Sequence, residues 1–225
     1  MCKPRGLPCR ELINATVEIY WPKFENIITK DRKRNGVMAR YTANEMRLYQ
    51  EGTLDAARWR DEASKFWWEL RNPNDEVHSN YGYLTDVLLD APGTWDMACA
   101  MEDHRVVAGL ITQWEWALAC LKADRDTRQA IMHFNRPIHQ YQGNKDFPCT
   151  MYGIFRILDN VLWYTVRMRS QDVVKGFPYD VLYFIWQQEQ MANALHCQVG
   201  TFTLSVDSLH VYLKDIGTVQ RMLGC

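Results

Sequence analysis

The spacing of apolar side chains predicts three long amphipathic helices. Apolar positions recur every three or four residues over 10–30, 54–70 and 105–122, which is typical of one buried helix face. Pro22 lies inside the first stretch and is expected to kink or split that helix. The apolar positions are, in chain order, Ile13, Val17, Tyr20, Phe24, Ile27 and Ile28, then Leu54, Ala57, Trp59, Ala63, Phe66, Trp67 and Leu70, then Val106, Val107, Leu110, Ile111, Trp114, Leu118 and Leu121.

Polar segments and short β-rich stretches fill most of the remaining chain. The basic run 30–36 ends in Asn-Gly and is expected to be a solvated connector, and Asn-Pro-Asn-Asp at 72–75 ends the second helix. No repeat or linker marks an internal boundary, so the sequence predicts one α+β domain over 1–225. The later elements are strands at 130–134, 154–158, 161–166 and 201–205, an Asp159-Asn160 turn and a helix at 181–195.

Composition narrows the possible functions. The net charge is -1 with 24% charged residues, so no basic surface for a nucleic acid is expected. The seven cysteines are an odd number and indicate a reducing compartment. Cys2 and Cys9 resemble half a zinc site, but no second pair follows, so no metal is expected. No apolar run is long enough for a signal core or a membrane span, which predicts a soluble protein of the cytoplasm.

The residues that can carry chemistry are concentrated around Cys149. Pro148 precedes this cysteine, and some twenty residues later the run 166–180 contains Arg-Ser, an acid, a glycine, a proline and a final acid. This arrangement offers a thiol nucleophile, a guanidinium suited to phosphate, and a carboxylate placed to read a base.

Five collinear motifs resemble the thymidylate synthase superfamily, and most closely its branch of deoxycytidylate (dCMP) hydroxymethylases, which phages use to make modified cytosine. The resemblance extends from about residue 79 to residue 212. The motifs are Ser79-Asn80-Tyr81-Gly82, residues 126–132, Pro148-Cys149-Thr150, residues 168–180, and Ser208-Leu209-His210-Val211-Tyr212.

The resemblance implies a mixed β-sheet with flanking helices and a homodimer whose sheets pack back to back. It also implies 5,10-methylenetetrahydrofolate as the cofactor, with Cys149 adding to carbon 6 of a pyrimidine nucleotide and Tyr81 in the active site. A glutamate on the helix before Tyr81 relays protons in this family. Glu62 fits that description, with Glu69 as a competitor.

Phosphate and sugar contacts are also implied by the resemblance. Arg128 would cross the dimer interface to the partner's phosphate, and Gln129 replaces a second arginine there. Arg34, or its competitor Arg32, matches a phosphate-binding arginine on a loop after the first helix. The remaining substrate-binding residues are Arg169, Ser170 and Gln171 in the phosphate segment, and His210 and Tyr212, which would bond the 3′-hydroxyl and face one side of an extended segment.

Two residues are assigned to the cofactor and one to the choice of base. Asp172 corresponds to a folate contact, and Gly176 is expected to permit close approach of the backbone to a ligand. Asp180 stands where synthases acting on uracil have asparagine. A carboxylate opposes O4 of uracil but accepts from the N4 amino group of cytosine and can share a proton with N3. The base is therefore expected to be cytosine.

The sequence favours 5-hydroxymethylation of dCMP. The segment 71–78 is shorter than the tryptophan-bearing insertion of synthases, and only about a dozen residues follow Tyr212, so a pocket open to water is expected. The alternatives are a dCMP methyltransferase, a CMP hydroxymethylase, and a catalytically silent nucleotide-binding dimer.

Overall fold

The computed structural model describes residues 2–25, 27–86 and 112–225, and its strands form one six-stranded sheet. The strand order is β1-β6-β4-β3-β2, with β5 pairing to β6. β6 runs parallel to β4 and β5, and the other pairs are antiparallel. The strands are β1 Cys9–Ile19, β2 Ile131–His133, β3 Thr150–Leu158, β4 Val161–Met168, β5 Gln171–Asp172 and β6 Gln198–Tyr212.

The described chain also forms helices, some of which pack against the strands. They are α1 Arg32–Gln50, α2 Ala56–Arg58, α3 Lys65–Leu70, α4 Tyr81–Asp86, α5 Gln113–Ala123, α6 Phe177–Leu195 and α7 Ile216–Leu223. α6 connects β5 to β6, and its buried Phe184 packs with Tyr164 of β4 and Tyr81 of α4. The predicted α+β class with a mixed sheet is therefore confirmed. In the described ranges, no helix is long and apolar enough to cross a membrane.

The first predicted helix, over 10–30, is wrong. Residues Cys9–Ile19 form β1, which pairs with β6 from Cys9 opposite Tyr212 to Ile19 opposite Phe202. Asn14, with φ of 55°, is skipped in this register. Pairing with a distant strand satisfies the backbone hydrogen bonds of this segment, and the apparent helical period arose because Tyr20 and Phe24 lie beyond the strand.

The basic segment 30–36 is the start of α1 rather than a solvated connector. The Asp31 carboxylate caps the helix by accepting from the backbone N–H of Arg34 at 3.0 Å. The following residues bury Met38, Thr42, Glu45, Leu48 and Tyr49 along one helix face.

The other predicted elements are largely confirmed. The helix over 54–70 is divided into α2, a wider π-type turn at Trp59–Ala63, and α3, with a break at Ser64. Of the third predicted helix, α5 confirms the C-terminal part, while 105–111 lies outside the described residues. Asp159 and Asn160 make the predicted hairpin turn between β3 and β4.

Candidate active site

Cys149 lies immediately before β3, where the thiol is only partly buried. Its Sγ is 3.6 Å from the Ser170 Oγ, and its carbonyl accepts from the Arg169 N–H at 2.9 Å. The Arg169 guanidinium donates to the carbonyls of Phe147 at 2.7 Å and Pro148 at 3.2 Å. The structure thus brings the predicted Cys149, Arg169 and Ser170 together, with a permanent cation beside the segment that carries the thiol.

Asp180 lies in the first turn of α6 and is partly buried. The Gln171 Nε2 donates to its Oδ2 at 2.9 Å. Burial raises the pKa of Asp180 from its ordinary 3.8 to about 7, while hydrogen bonds with Gln171 and Tyr81 act in the opposite direction. The carboxyl can therefore exchange a proton near neutral pH.

Tyr81 contacts both this acid and Thr150, the residue after Cys149. It begins α4, is 5% exposed, and its hydroxyl accepts from the Thr150 Oγ1 at 3.0 Å. Burial raises the pKa of Tyr81 well above its ordinary value, and the nearby Asp180 and Cys149 raise it further. Gly82 permits this placement, because a Cβ there would lie 1.7 Å from the Tyr49 carbonyl oxygen on α1.

Glu45 is a buried acid of this site that the sequence interpretation missed. It lies on α1, is 5% exposed, and accepts from the Tyr41 hydroxyl at 3.0 Å. Burial, followed by the nearby Asp180, raises its pKa from 4.5 to about 8. The available signal was the helical spacing of Met38, Thr42 and Glu45, which is visible only once α1 is recognised.

Glu62, the glutamate suggested by the sequence, is engaged elsewhere. Its carboxylate forms ion pairs with Arg47 and Arg58. These arginines lower the pKa of Glu62 to about 2, so it stays ionised and is poorly suited to relay protons at neutral pH. The competitor Glu69 is exposed. These ion pairs do not favour Glu62 as the proton relay, whereas Glu45 lies close enough to Asp180 for the two carboxyls to influence each other.

Arg34 is on a helix rather than on the expected loop. Its Nη2 donates to the Val174 carbonyl at 2.7 Å and lies 3.5 Å from the Tyr179 hydroxyl. Its Nε is buried and has no acceptor within the described part of the chain. Arg34 thus borders the segment between Asp172 and Asp180, whereas Arg32 is exposed at the start of α1.

Arg128 is exposed on the turn between α5 and β2. The neighbouring Arg125 donates to Asn160 at 2.6 Å, which fixes this turn beside the β3–β4 hairpin. Cys149 precedes the other end of β3. Arg128 is therefore not brought to the thiol of its own protomer.

His210 and Tyr212 lie on the same side of β6, with their ring centroids 5.1 Å apart. His210 pairs in register with Asp172 of β5, and its carbonyl accepts from the Val173 N–H at 3.0 Å. Asp172 itself caps a turn, because its Oδ1 accepts from the N–H groups of Val174 and Lys175.

Gly176 makes room for protein side chains rather than for a ligand. A Cβ at this position would lie 2.4 Å from the Gln171 Oε1 and 3.2 Å from the Asp180 Oδ2. Gln171, predicted to bind substrate, is directed at Asp180 in this structure.

The described residues include no cluster of three or more histidine, cysteine or acidic side chains that could hold a metal ion.

Comparison with known proteins identifies similar sequences over most of the chain. A family model described as "Thymidylate synthase" matches residues 23–224. The Deoxycytidylate 5-hydroxymethyltransferase of Enterobacteria phage T4 is 28% identical over 195 residues, covering 80% of this chain and 70% of that protein. The Deoxyuridylate hydroxymethyltransferase of Bacillus phage SP01 is 38% identical over 112 residues, which is 46% of this chain and 29% of that protein.

Among solved structures, the fold is similar to the thermostable thymidylate synthase A from Bacillus subtilis. The TM-score is 0.71, and the match covers 96% of this chain and 72% of that one. Sequence identity is 18%, so this likeness concerns the fold alone.

Proposed function

We propose that this chain, which belongs to the thymidylate synthase family, converts dCMP to 5-hydroxymethyl-dCMP. The family and the phage relatives make it a one-carbon transferase acting on carbon 5 of a pyrimidine nucleotide. The observation that carries the choice of cytosine is the Asp180 carboxyl, held on one oxygen by Gln171. The choice of hydroxymethylation is supported by the names of both phage relatives.

Cys149 is proposed as the nucleophile. Its sulfur would add to carbon 6 of the base and convert the ring into an enamine, which makes carbon 5 nucleophilic. The Arg169 guanidinium, bonded to the two carbonyls before Cys149, would favour the thiolate and also attract the substrate phosphate. Arg34 is proposed as a second donor for that phosphate, because its Nε has no acceptor within the described part of the chain. Water would supply the hydroxyl group on the transferred carbon with tetrahydrofolate as the leaving group, and loss of the carbon 5 proton with elimination of the sulfur would restore the aromatic ring.

Asp180 is proposed to read the cytosine edge. One carboxyl oxygen accepts from the N4 amino group, and the other shares a proton with N3. Sharing that proton withdraws electrons from the ring and makes carbon 6 more open to sulfur attack. A pKa near 7 suits this task, because the proton can move in either direction at neutral pH.

Glu45 is proposed to relay protons to the pyrimidine. We expect Glu45→Gln to lower turnover by about 10²–10⁴-fold, the usual range for loss of a general acid or base. The glutamine keeps the Tyr41 hydrogen bond, and Glu62→Gln should keep most of the activity. If Glu45→Gln is active and Glu62→Gln is inactive, Glu62 rather than Glu45 relays the protons.

Although Glu45→Gln should lower turnover, it should raise the free energy of unfolding relative to wild type as the pH rises. The folded-state pKa of about 8 lies above the ordinary 4.5, so wild type loses stability as pH rises between these values. The free energy of unfolding of the variant, relative to wild type, should grow by about 1.4 kcal/mol per pH unit over this window and level off above it. Urea unfolding between pH 5 and pH 9 measures this slope, and a pH-independent difference would show that Glu45 does not titrate as described.

5,10-Methylenetetrahydrofolate is proposed as the cofactor, and the residues beside Asp180 fit a pterin. Asp172 holds its carboxylate in place through two backbone N–H groups, and a carboxylate accepts from the amino and ring N–H groups of such a ring. Phe177 adds a partly buried aromatic surface nearby. When bound, the folate would supply the methylene unit.

The second candidate is dUMP hydroxymethylation, favoured by the similarity to the phage SP01 protein. An ionised Asp180 opposes it, because a carboxylate would face the O4 acceptor of uracil. Release of tritium from carbon 5 of labelled dCMP or dUMP compares the two directly. We expect faster release from dCMP, and release from neither nucleotide would indicate a silent nucleotide-binding dimer.

A homodimer is proposed in which the open faces of the two sheets pack together. β3 and β4 expose Leu158 and Trp163 on the face opposite to the buried Phe155 and Tyr164. Because Arg128 lies away from Cys149 in its own protomer, it is available to the phosphate site of the partner.

The phage relatives support a role of this protein in the cytoplasm of an infected bacterium.

Mixed dimers test this sharing of Arg128. Arg128→Ala and Cys149→Ser protomers carry different tags, are co-expressed, and are purified on both tags. Each homodimeric variant should have little activity, while the mixed dimer should regain about half of the wild-type rate, since one of its two sites is intact. A mixed dimer with no recovered activity would show that Arg128 serves its own protomer.

A further inference from the structure

Gln171 is a buried amide whose side chain is directed at the base-reading acid. It lies in β5, is 3% exposed, and donates from Nε2 to the Asp180 Oδ2 at 2.9 Å. An amide NH₂ only donates, so it holds this oxygen as an acceptor. When Asp180 is protonated, the proton is therefore directed to Oδ1.

Gly176 leaves the space that the Gln171 and Asp180 side chains occupy. Its φ is -109°, which any residue adopts, so glycine is not required there by the backbone conformation. It is required by space, because a Cβ would lie 2.4 Å from the Gln171 Oε1 and 3.2 Å from the Asp180 Oδ2. Gln171, Gly176 and Asp180 thus form one fitted unit.

The order of donor and acceptor on a neutral carboxyl decides which base it fits. Cytosine offers an amino donor at position 4 and an acceptor at N3, whereas uracil offers an acceptor at O4 and a donor at N3. A carboxyl with a fixed acceptor opposite position 4 and its proton opposite N3 fits cytosine. The reversed order fits uracil. A carboxyl whose proton can move between its two oxygens fits both.

Resting on the proposed function, we propose that Gln171 is the positioning residue that sets base specificity, by fixing the Asp180 Oδ2 as the acceptor for the cytosine amino group. The oxygen has two lone pairs and can accept from both Gln171 and the base. The titratable groups that face Asp180 are Glu45 and Tyr49 on α1 and Tyr81 on α4. Each of them remains in place when Gln171 is changed.

The test compares Gln171→Leu and Gln171→Met with wild type. We expect the ratio of kcat/KM for dCMP to that for dUMP to fall by about 10-fold or more, as for loss of one hydrogen bond to a charged group. The carboxyl titration of Asp180, followed by ¹³C NMR on aspartate-labelled free protein, should move to higher pH in both variants. Gln188→Leu is the control, because this buried glutamine bonds the Leu162 and Gly200 carbonyls instead. It should lower Tm without changing the ratio or the titration.

The outcomes separate this inference from the proposed function. An unchanged ratio together with an unchanged titration, or a ratio that rises, would overturn the role of Gln171. If wild type turns over neither nucleotide, the proposed function fails, while the NMR titration still reports whether Gln171 holds Asp180. If the leucine variant does not fold, the methionine variant keeps the side-chain length and supplies both measurements.

Discussion

Replacing Cys149 with serine is expected to lower tritium release from carbon 5 of dCMP by on the order of 10⁴-fold or more, because the reaction needs a sulfur nucleophile. A serine hydroxyl is scarcely ionised at neutral pH and is therefore a far weaker nucleophile than a thiolate. The measurement is single-turnover release of tritium, which reports the chemical step at carbon 5 directly.

Two controls accompany this variant. The Kd for dCMP should change by only a few fold, since the phosphate and base contacts are intact. Cys225→Ser removes an exposed thiol that has no proposed role in the reaction and should keep the wild-type rate. If Cys149→Ser still releases substantial tritium from carbon 5 of dCMP, the covalent mechanism is excluded.

Asp180→Asn should reverse the choice of base. Asparagine fits uracil with its NH₂ in the place of Oδ2, opposite O4, and its oxygen opposite N3–H, and Gln171 can turn its amide so that Oε1 accepts from that NH₂. A buried polar group left unpaired by the wrong substrate gives discrimination of about 10⁴–10⁵, so we expect the dCMP to dUMP ratio of kcat/KM to shift toward dUMP by a factor of that order. Competition between the two nucleotides in one reaction measures this ratio.

Asp146→Asn is the matched control for this exchange. Asp146 is a buried aspartate that accepts from the Ser79 backbone N–H at 2.8 Å and from the Ser79 hydroxyl. Its replacement should reduce stability or overall rate and leave the ratio unchanged. If Asp180→Asn lowers both activities equally, Asp180 does not read the base.

Local patterns predicted the elements whose stability is largely local. The β3–β4 hairpin follows from two short β-branched runs around Asp159-Asn160, which accept the left-handed conformation of a tight turn. The segment 10–30 was misread because its structure depends on pairing with β6, almost two hundred residues away in sequence. The spacing of apolar residues within one segment does not reveal a strand partner that is distant in the sequence.

The same distinction applies to the site. Cys149, Asp180 and Arg169 were identified by motif, and the structure brings their segments together. Glu45 was missed because an acid on a helix is usually solvated, and only the docking of α1 against α4 and α6 buries it. Gly176 was read as space for a ligand, yet the neighbouring Gln171 side chain fills that space.

The product formed from dCMP and 5,10-methylenetetrahydrofolate, identified by mass spectrometry with CMP and dUMP as parallel substrates, tests the central claim most directly. The account predicts that dCMP is preferred and gains the mass of one formaldehyde unit, with tetrahydrofolate as the coproduct. A product that gains only a methylene unit, accompanied by dihydrofolate, or preferential conversion of dUMP, would contradict it.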